Sequence, residues 1–173
     1  QQSMQLGTVF LCGGWYATIA DMLFKSGISI QKIRSFDIDP ACAPIAECIN
    51  KPYVIDEWKF KAATVDIHNL RYDRFDYVTH KSDGTELKLL DTATSVINTS
   101  CEHIFDFENW YDHIPRGMLV AVQSNDYFEV PDHVNCHETL ESFADQTPLR
   151  KELFSGTLAL PTYNRFMRIG FKE

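Results

Sequence analysis

Three short apolar runs alternate with two amphipathic stretches over the first seventy residues, and this alternation restricts the fold more than any other feature. Gly7–Gly14 (GTVFLCGG) reads as a buried strand closed by a tight turn. Trp15–Ser26 then sets Ile19, Met22 and Leu23 at helical spacing, and Gly27 supplies a C-terminal stop. Ile33–Ile38 is the second strand. Asp39 suits an N-cap and Pro40 the first helical position of a helix over Ala41–Ile49 that ends near Asn50 and Pro52. Phe60–Ile67 is the third strand. Strands this continuously apolar belong to a parallel sheet covered on both faces, and right-handed crossovers wind such a sheet doubly.

The rest of the chain extends the sheet. Ser95–Thr99 and Met118–Gln123 are the fourth and fifth core strands. Helices are predicted at Phe105–His113 and His137–Ala144. Leu153–Leu160 and Arg165–Phe171 flank a turn at Pro161–Asn164 and read as an antiparallel hairpin. A second hairpin, inserted around 77–90, is signalled by Ser82-Asp83-Gly84-Thr85 between Tyr77–Lys81 and Glu86–Leu90. Tyr72, Phe75 and Tyr77 are read as its packing. The expected fold is α/β and doubly wound. Its seven-stranded, mostly parallel sheet ends in the antiparallel pair, in one domain spanning 1–173 with no repeat or linker.

A net charge of −8 argues against broad affinity for nucleic acid or anionic lipid. Arg150, Lys151, Arg165, Arg168 and Lys172 are read as a solvated face near the terminal hairpin. Gln1–Met4 lacks the order of a secretory leader, and no run approaches the ~20 apolar residues that cross a bilayer. Five cysteines without a CxxC pair fit a reduced, cytoplasmic setting. Cys101 with His103, and Cys136 with His137, lack a matching second pair, so no metal is expected.

The chemistry concentrates at the carboxyl ends of adjacent strands, where open α/β sheets bind ligands. Gly13 and Gly14 let backbone N–H groups approach a ligand at a strand-to-helix turn. Asp37 and Asp39 follow Gly14 by 23 and 25 residues, near the spacing of a carboxylate that accepts a ribose diol. Asp66 and Ile67 offer an acceptor for an adenine amine and an apolar surface for its ring.

This order resembles the class I S-adenosylmethionine-dependent methyltransferases over nearly the whole chain. The motifs are VFLCGGWYA, RSFDIDP, ATVDI and SVINTSCEHI, and LFSGTLAL…NRFMRIGF is similar to the antiparallel pair that marks this fold. The resemblance implies S-adenosyl-L-methionine as methyl donor. Gly13, Gly14 and Tyr16 would border its methionine part, and Asp37 or its rival Asp39 would hold the ribose. Ile38 would pack on adenine, and Asp66 with Ile67 would hold the adenine edge. Asn98 and Thr99 would face the methyl group. The sequence departs from the family where Phe10 takes an acidic place and Cys12 and Tyr16 replace two glycines. The chain also starts almost at its first strand, which implies an open site or one covered by a homo-oligomer or partner subunit.

Asn98-Thr99-Ser100-Cys101-Glu102-His103 carries the candidate catalytic groups. Glu102 or His103 would take a proton from an acceptor, with Asn98 beside them. Cys101 would be a thiolate nucleophile if His103 lowered its pKa; the alternative is that Cys101 is a small core residue and Glu102 caps the next helix. Gln123–Phe128 is either a substrate-contacting loop or a hydrogen-bonded turn. His133, Asn135, Cys136 and His137 either line the same mouth or are surface scatter, the second reading being preferred. The expected function is methyl transfer to a small-molecule or protein acceptor, with nucleic acid disfavoured by net charge though open to a local basic patch, and no membrane partner. The alternatives are a non-catalytic binding subunit of the same fold and another nucleotide-dependent α/β enzyme.

Overall fold

The computed structural model describes residues 5–81 and 83–173. The leader reading of Gln1–Met4 and the turn position Ser82 lie outside these. The elements run β1 Gln5–Cys12, α1 Thr18–Lys25, β2 Ser29–Asp37, α2 Cys42–Ile49, α3 Lys51–Ile55, β3 Phe60–Thr64, β4 Phe75–His80, β5 Glu86–Asp91, β6 Ser95–Asn98, α4 Phe107–His113, β7 Leu119–Asn125, α5 Leu140–Gln146, β8 Leu149–Ala159 and β9 Asn164–Lys172. Single 3-10 turns follow β3 (Ile67–Asn69) and β6 (Cys101–His103).

A seven-stranded sheet has the order β3-β2-β1-β6-β7-β9-β8, and β4 and β5 pair apart from it. β1 is parallel to β2 and β6, β2 to β3, and β6 to β7, whereas β9 runs antiparallel to both β7 and β8. The expected fold is therefore present, including the terminal pair and the inserted hairpin. The order reverses between β1 and β6, which opens a crevice at their carboxyl ends.

Four local expectations shift. The helix expected from Trp15 starts at Thr18, because Trp15 and Ala17 take left-handed backbone angles. Asp39 accepts the Ala41 N–H at 2.8 Å, but the helix proper begins at Cys42. Pro52 does not end the helical region. It sits in the first turn of α3, where its missing N–H has no partner to lose. β3 is also shorter than expected, stopping at Thr64 so that Asp66 caps a 3-10 turn.

Phe10, in the place where the resemblance expects an acid, is fully buried. Its ring lies 5.0 Å from Phe36 and 6.2 Å from Phe75, with Phe36 and Phe75 4.7 Å apart. This aromatic cluster seats the inserted hairpin on the sheet, the packing role expected of Phe75 and Tyr72. A buried ion pair pins the same hairpin. Arg34 Nε donates to Asp91 Oδ2 at 2.6 Å, Tyr77 Oη donates to the same oxygen at 2.8 Å, and Lys32 Nζ meets Oδ1 at 3.0 Å. Burial alone would raise the Asp91 carboxyl, yet Arg34, Tyr77 and Lys32 hold it below the usual carboxylate range. A depressed native pKa gives stability that is complete above the unfolded value of about 3.9 and is lost as pH falls through the native one. Between pH 5 and pH 3, urea titrations of the wild type are expected to lose stability more steeply than those of Asp91→Asn. Equal slopes would remove Asp91 as the cause.

The basic residues near the terminal hairpin do not form one solvated face. Arg168 is buried, donates to Ala144 O at 2.9 Å at the end of α5, and pairs with Glu152 at 2.8 Å. Lys172 is buried over the Tyr111 ring at 5.2 Å. Both satisfy α-helix carboxyl ends that would otherwise bury unpaired carbonyls, Lys172 through Asp112 O at 3.4 Å. Among the described residues, no helix is long and apolar enough to cross a membrane.

Candidate functional site

The crevice between β1 and β6 opens into a cavity of about 720 Å³, within the usual range for small-molecule sites. Its wall comes from four strand ends. Gly13 and Trp15 follow β1, Asp37 and Ile38 end β2, Val65 to His68 follow β3, and Ser100 with His103 to Phe105 follow β6. The two acids singled out in the sequence, Asp37 and Asp66, thus face one hollow.

Asp37 rather than Asp39 lines it. Asp37 Oδ2 accepts the Trp15 N–H at 2.8 Å and Oδ1 accepts the Asp39 N–H at 3.1 Å. A carboxylate offers about four acceptor sites, so both oxygens keep capacity for a diol while tying the glycine turn to β2. Asp39 is exposed outside the cavity wall. Asp66 Oδ1 accepts the His68 N–H at 3.0 Å and faces its Nδ1 at 3.1 Å. Those bonds, led by the backbone N–H and opposed by burial, lower the Asp66 carboxyl and keep it an acceptor. Asp66 Oδ2 has only a long contact, 3.4 Å, with Asn69. Ile38 is 71% exposed and Ile67 buried, so one offers a free apolar surface and the other a fixed floor. His68 Nε2 approaches Phe105 O at 2.9 Å and bridges the β3 and β6 sides of the wall.

The glycine turn differs from its sequence reading. Gly13 needs its left-handed backbone (φ 62°), yet a Cβ there would meet only Asn98 and Ile104 atoms at 3.7–3.8 Å. Gly14 is held for space: a Cβ would overlap the Ser35 hydroxyl, and Gly14 itself does not line the cavity. Gly14→Ala is expected to cost about 1–3 kcal/mol as an overpacked site. Ser35→Ala in the same background should recover most of it, since the remaining neighbours lie at 3.3 Å or beyond. Chemical denaturation of the two variants checks this, and no recovery would show that the clash lies elsewhere. Tyr16 also lies off the wall, stacked on Trp15 at 4.2 Å. Cys12 is buried in the core beside Tyr72, where burial pushes its thiol up to about 12.

The fourth motif is rearranged most. Asn98 is fully buried behind Gly13, with Oδ1 accepting the Ser100 N–H at 2.8 Å and Nδ2 unpartnered. Thr99 is also absent from the wall. Glu102 is buried away from the cavity, 3.6 Å from Arg165. Of the three candidate catalytic groups, only His103 reaches the hollow. Cys101 is no thiolate: burial drives its pKa well above the usual thiol value, and it points at Asn98 O. Gln123–Phe128 contains a hydrogen-bonded turn, in which Asn125 accepts the Tyr127 N–H at 2.9 Å and Asp126 holds Asn164 at 2.6 and 2.7 Å.

The scatter reading of the next loop fails at His133, whose ring packs edge-on against His103 at 4.6 Å. Asn135, Cys136 and His137 instead bond within the fold, to Gln146 or Asn125. Trp15, Val65, His68, Ser100, Ile104 and Phe105 complete the wall without having been singled out as ligand contacts. Their one sequence signal is position, directly after strands whose ends form the crevice.

No protein-family model matches the sequence, and neither does any curated protein. Solved structures do match. The N-methyltransferase NodS from Bradyrhizobium japonicum WM9 superposes with a TM-score of 0.64 at 10% identity, covering 97% of this chain and 86% of NodS. The magnesium protoporphyrin IX methyltransferase ChlM from Synechocystis PCC 6803, solved with bound S-adenosylmethionine, gives 0.59 at 11% identity over 95% of this chain and 69% of ChlM. The small RNA methyltransferase HEN1 gives 0.66 at 14% identity over 98% of this chain and 23% of HEN1. Strand order, terminal antiparallel pair and these superpositions agree: the chain has the fold of the class I S-adenosylmethionine-dependent methyltransferases.

Proposed function

We propose that this protein binds S-adenosyl-L-methionine in the cavity between β1 and β6 and transfers its methyl group to a small-molecule or protein acceptor. One observation carries the reading: Asp37 and Asp66, on neighbouring strand ends, line the same 720 Å³ hollow. The residues present fit the donor. Asp37 keeps lone pairs for two ribose hydroxyls, Ile38 and Ile67 offer apolar surface to a purine, and Asp66 Oδ2 is available to its amine. Gly13, which has no side chain, brings main chain against the remaining part.

When bound, the donor supplies an electrophilic methyl carbon on a sulfonium centre. The chain's own contribution is positional, as suits a single in-line displacement. Ile104, Phe105 and Trp15 give the hollow an apolar lining, with Phe105 and Trp15 still open to solvent. His103, on the wall, is the group placed to accept a proton from an acceptor heteroatom. The net charge of −8 favours acceptors other than long polyanions. The five free cysteines favour a reduced cytoplasmic setting.

A second reading, a non-catalytic binding subunit, is favoured by the burial of Asn98 and Glu102 away from the hollow. Calorimetric titration separates the readings from a failed proposal. Donor binding with turnover on an acceptor supports the first, and donor binding without turnover the second. No heat and no thermal shift at millimolar donor overturns the first and leaves the second.

A further inference from the structure

Beside the donor cavity, the structure joins three side chains whose grouping the sequence does not announce. Glu102 and His103 are consecutive in the turn after β6, and His133 lies thirty residues further on. One ligand atom from each lies within 4.8 Å of the other two. We propose that Glu102, His103 and His133 bind a divalent first-row transition ion.

The imidazoles are already oriented for a metal. His103 Nδ1 lies 3.1 Å from Asp132 O, and His133 Nδ1 lies 2.7 Å from Tyr127 O. A carbonyl only accepts, so each Nδ1 carries the proton and each Nε2 presents its bare lone pair. Pinning one ring nitrogen on a backbone carbonyl is how metal-binding histidines are fixed in tautomer and direction. The two rings meet edge-on, 4.6 Å apart, at the mouth of the loop before α5.

The carboxylate gives the independent support. Glu102 is buried to 3% exposure, and its Oε2 has no hydrogen-bond partner. The nearest cation, Arg165, stands 3.6 Å from Oε1, beyond hydrogen-bond range. A buried carboxylate with one bare oxygen carries a desolvation cost that nothing in its surroundings offsets in full, and a divalent ion at Oε2 supplies the missing charge. The Glu102 main chain is fixed too, since its carbonyl accepts the Val134 and Asn135 N–H groups at 2.8 and 2.9 Å. Those bonds tie the His133 loop to the β6 turn and so hold the three ligands together.

Two imidazoles and one carboxylate suit ions of the zinc or iron class, with one or more positions left open, and suit magnesium poorly. Metal bonds of about 2.0–2.2 Å draw the ligand atoms closer than their present separations within 4.8 Å, and of the three side chains His103 is the exposed one, held by a single 3.1 Å contact to Asp132 O. His103 also belongs to the cavity wall, which places the ion at the edge of the hollow. An open position there would take an oxygen of the methyl acceptor and ease the loss of its proton, a role the ion would take over from His103, whose Nε2 it occupies. That use rests on the methyl-transfer reading, whereas the ion site itself does not.

Cobalt(II) is the probe, because it accepts the same ligands and its visible absorption reports them. The chelator-stripped full chain is titrated with Co²⁺ and followed by absorption and calorimetry. One ion per chain is expected, with at least about 100-fold weaker binding in Glu102→Gln and in His103→Gln, beyond what losing an outer-shell partner typically costs. His103 is exposed, so that variant keeps the test valid even if Glu102→Gln fails to fold. His113→Gln, on the far α4 surface, should bind as the wild type does. No Co²⁺ binding at millimolar concentration, or affinity unchanged in His103→Gln, overturns the site. Donor titration of the metal-free chain runs in parallel: donor heat without Co²⁺ binding overturns the ion site alone, and Co²⁺ binding without donor heat overturns the methyl-transfer reading alone.

Discussion

Asp37→Ala is expected to weaken S-adenosylmethionine binding at least about 100-fold. Two hydrogen bonds to a charged acceptor contribute about 1.5 kcal/mol each at the low end, and every 1.4 kcal/mol is a factor of ten. The same carboxylate ties Trp15 N and Asp39 N to β2, so the variant also loosens the glycine turn. Thermal unfolding of the free variant measures that second effect separately. Asp39→Ala is the matched control, because Asp39 is exposed outside the cavity and holds only the Ala41 N–H. It should bind the donor within about threefold of wild type, a difference of under 1 kcal/mol. If both variants lose affinity equally, Asp37 is not the ribose acceptor and the proposed site has been misplaced.

The largest stability effect is expected far from the cavity. Asp91→Ala should destabilise the fold by about 3–5 kcal/mol, the usual cost of removing one partner from a buried ion pair. Arg34 is 1% exposed, and its Nη2 already lacks a partner. Without Asp91 its remaining acceptors would be main-chain oxygens, of Ile33, Trp58 and Lys59. Tyr77 Oη would also lose its acceptor, and with it the polar anchor of the inserted hairpin. A double replacement, Arg34→Met with Asp91→Leu, removes both charges at once and should cost far less than the single change. Urea denaturation of the three proteins measures this. A double variant as unstable as Asp91→Ala would mean that packing of the hairpin, rather than the orphaned charge, sets the loss.

The two expectations draw on different kinds of legibility. Asp37 and Asp66 could be picked out because strand ends follow from apolar runs, and acids directly after such runs stand at the crevice. Choosing between Asp37 and Asp39 was beyond the sequence, since the two residues differ only in where the strand stops relative to the helix start. Arg34–Asp91 joins positions 57 residues apart and leaves no local mark. Arg34 sits in a strand that reads as apolar, and its partner sits at the foot of a hairpin whose contact with the sheet is purely tertiary.

The fourth motif shows the same division. A polar cluster after β6 implies chemistry, but the direction of each side chain there depends on the tight turn at Cys101–His103. Successive residues of that turn face different ways, which sends Cys101 and Glu102 inward and His103 to the cavity wall. The family departures are settled in the same way. Phe10 packs under the inserted hairpin, and Cys12 faces that core, not the cavity.

Local pattern by itself determined the element types, their alternation, the parallel sheet with its antiparallel edge and the two acids at its crevice, because apolar periodicity fixes which face of each element must leave water. Tertiary structure alone decided which polar groups share a space. The meeting of His133 with His103 and Glu102, and of Asp91 with Arg34, depends on how distant loops dock, and docking is set by packing across the sheet, not by any residue's neighbours along the chain.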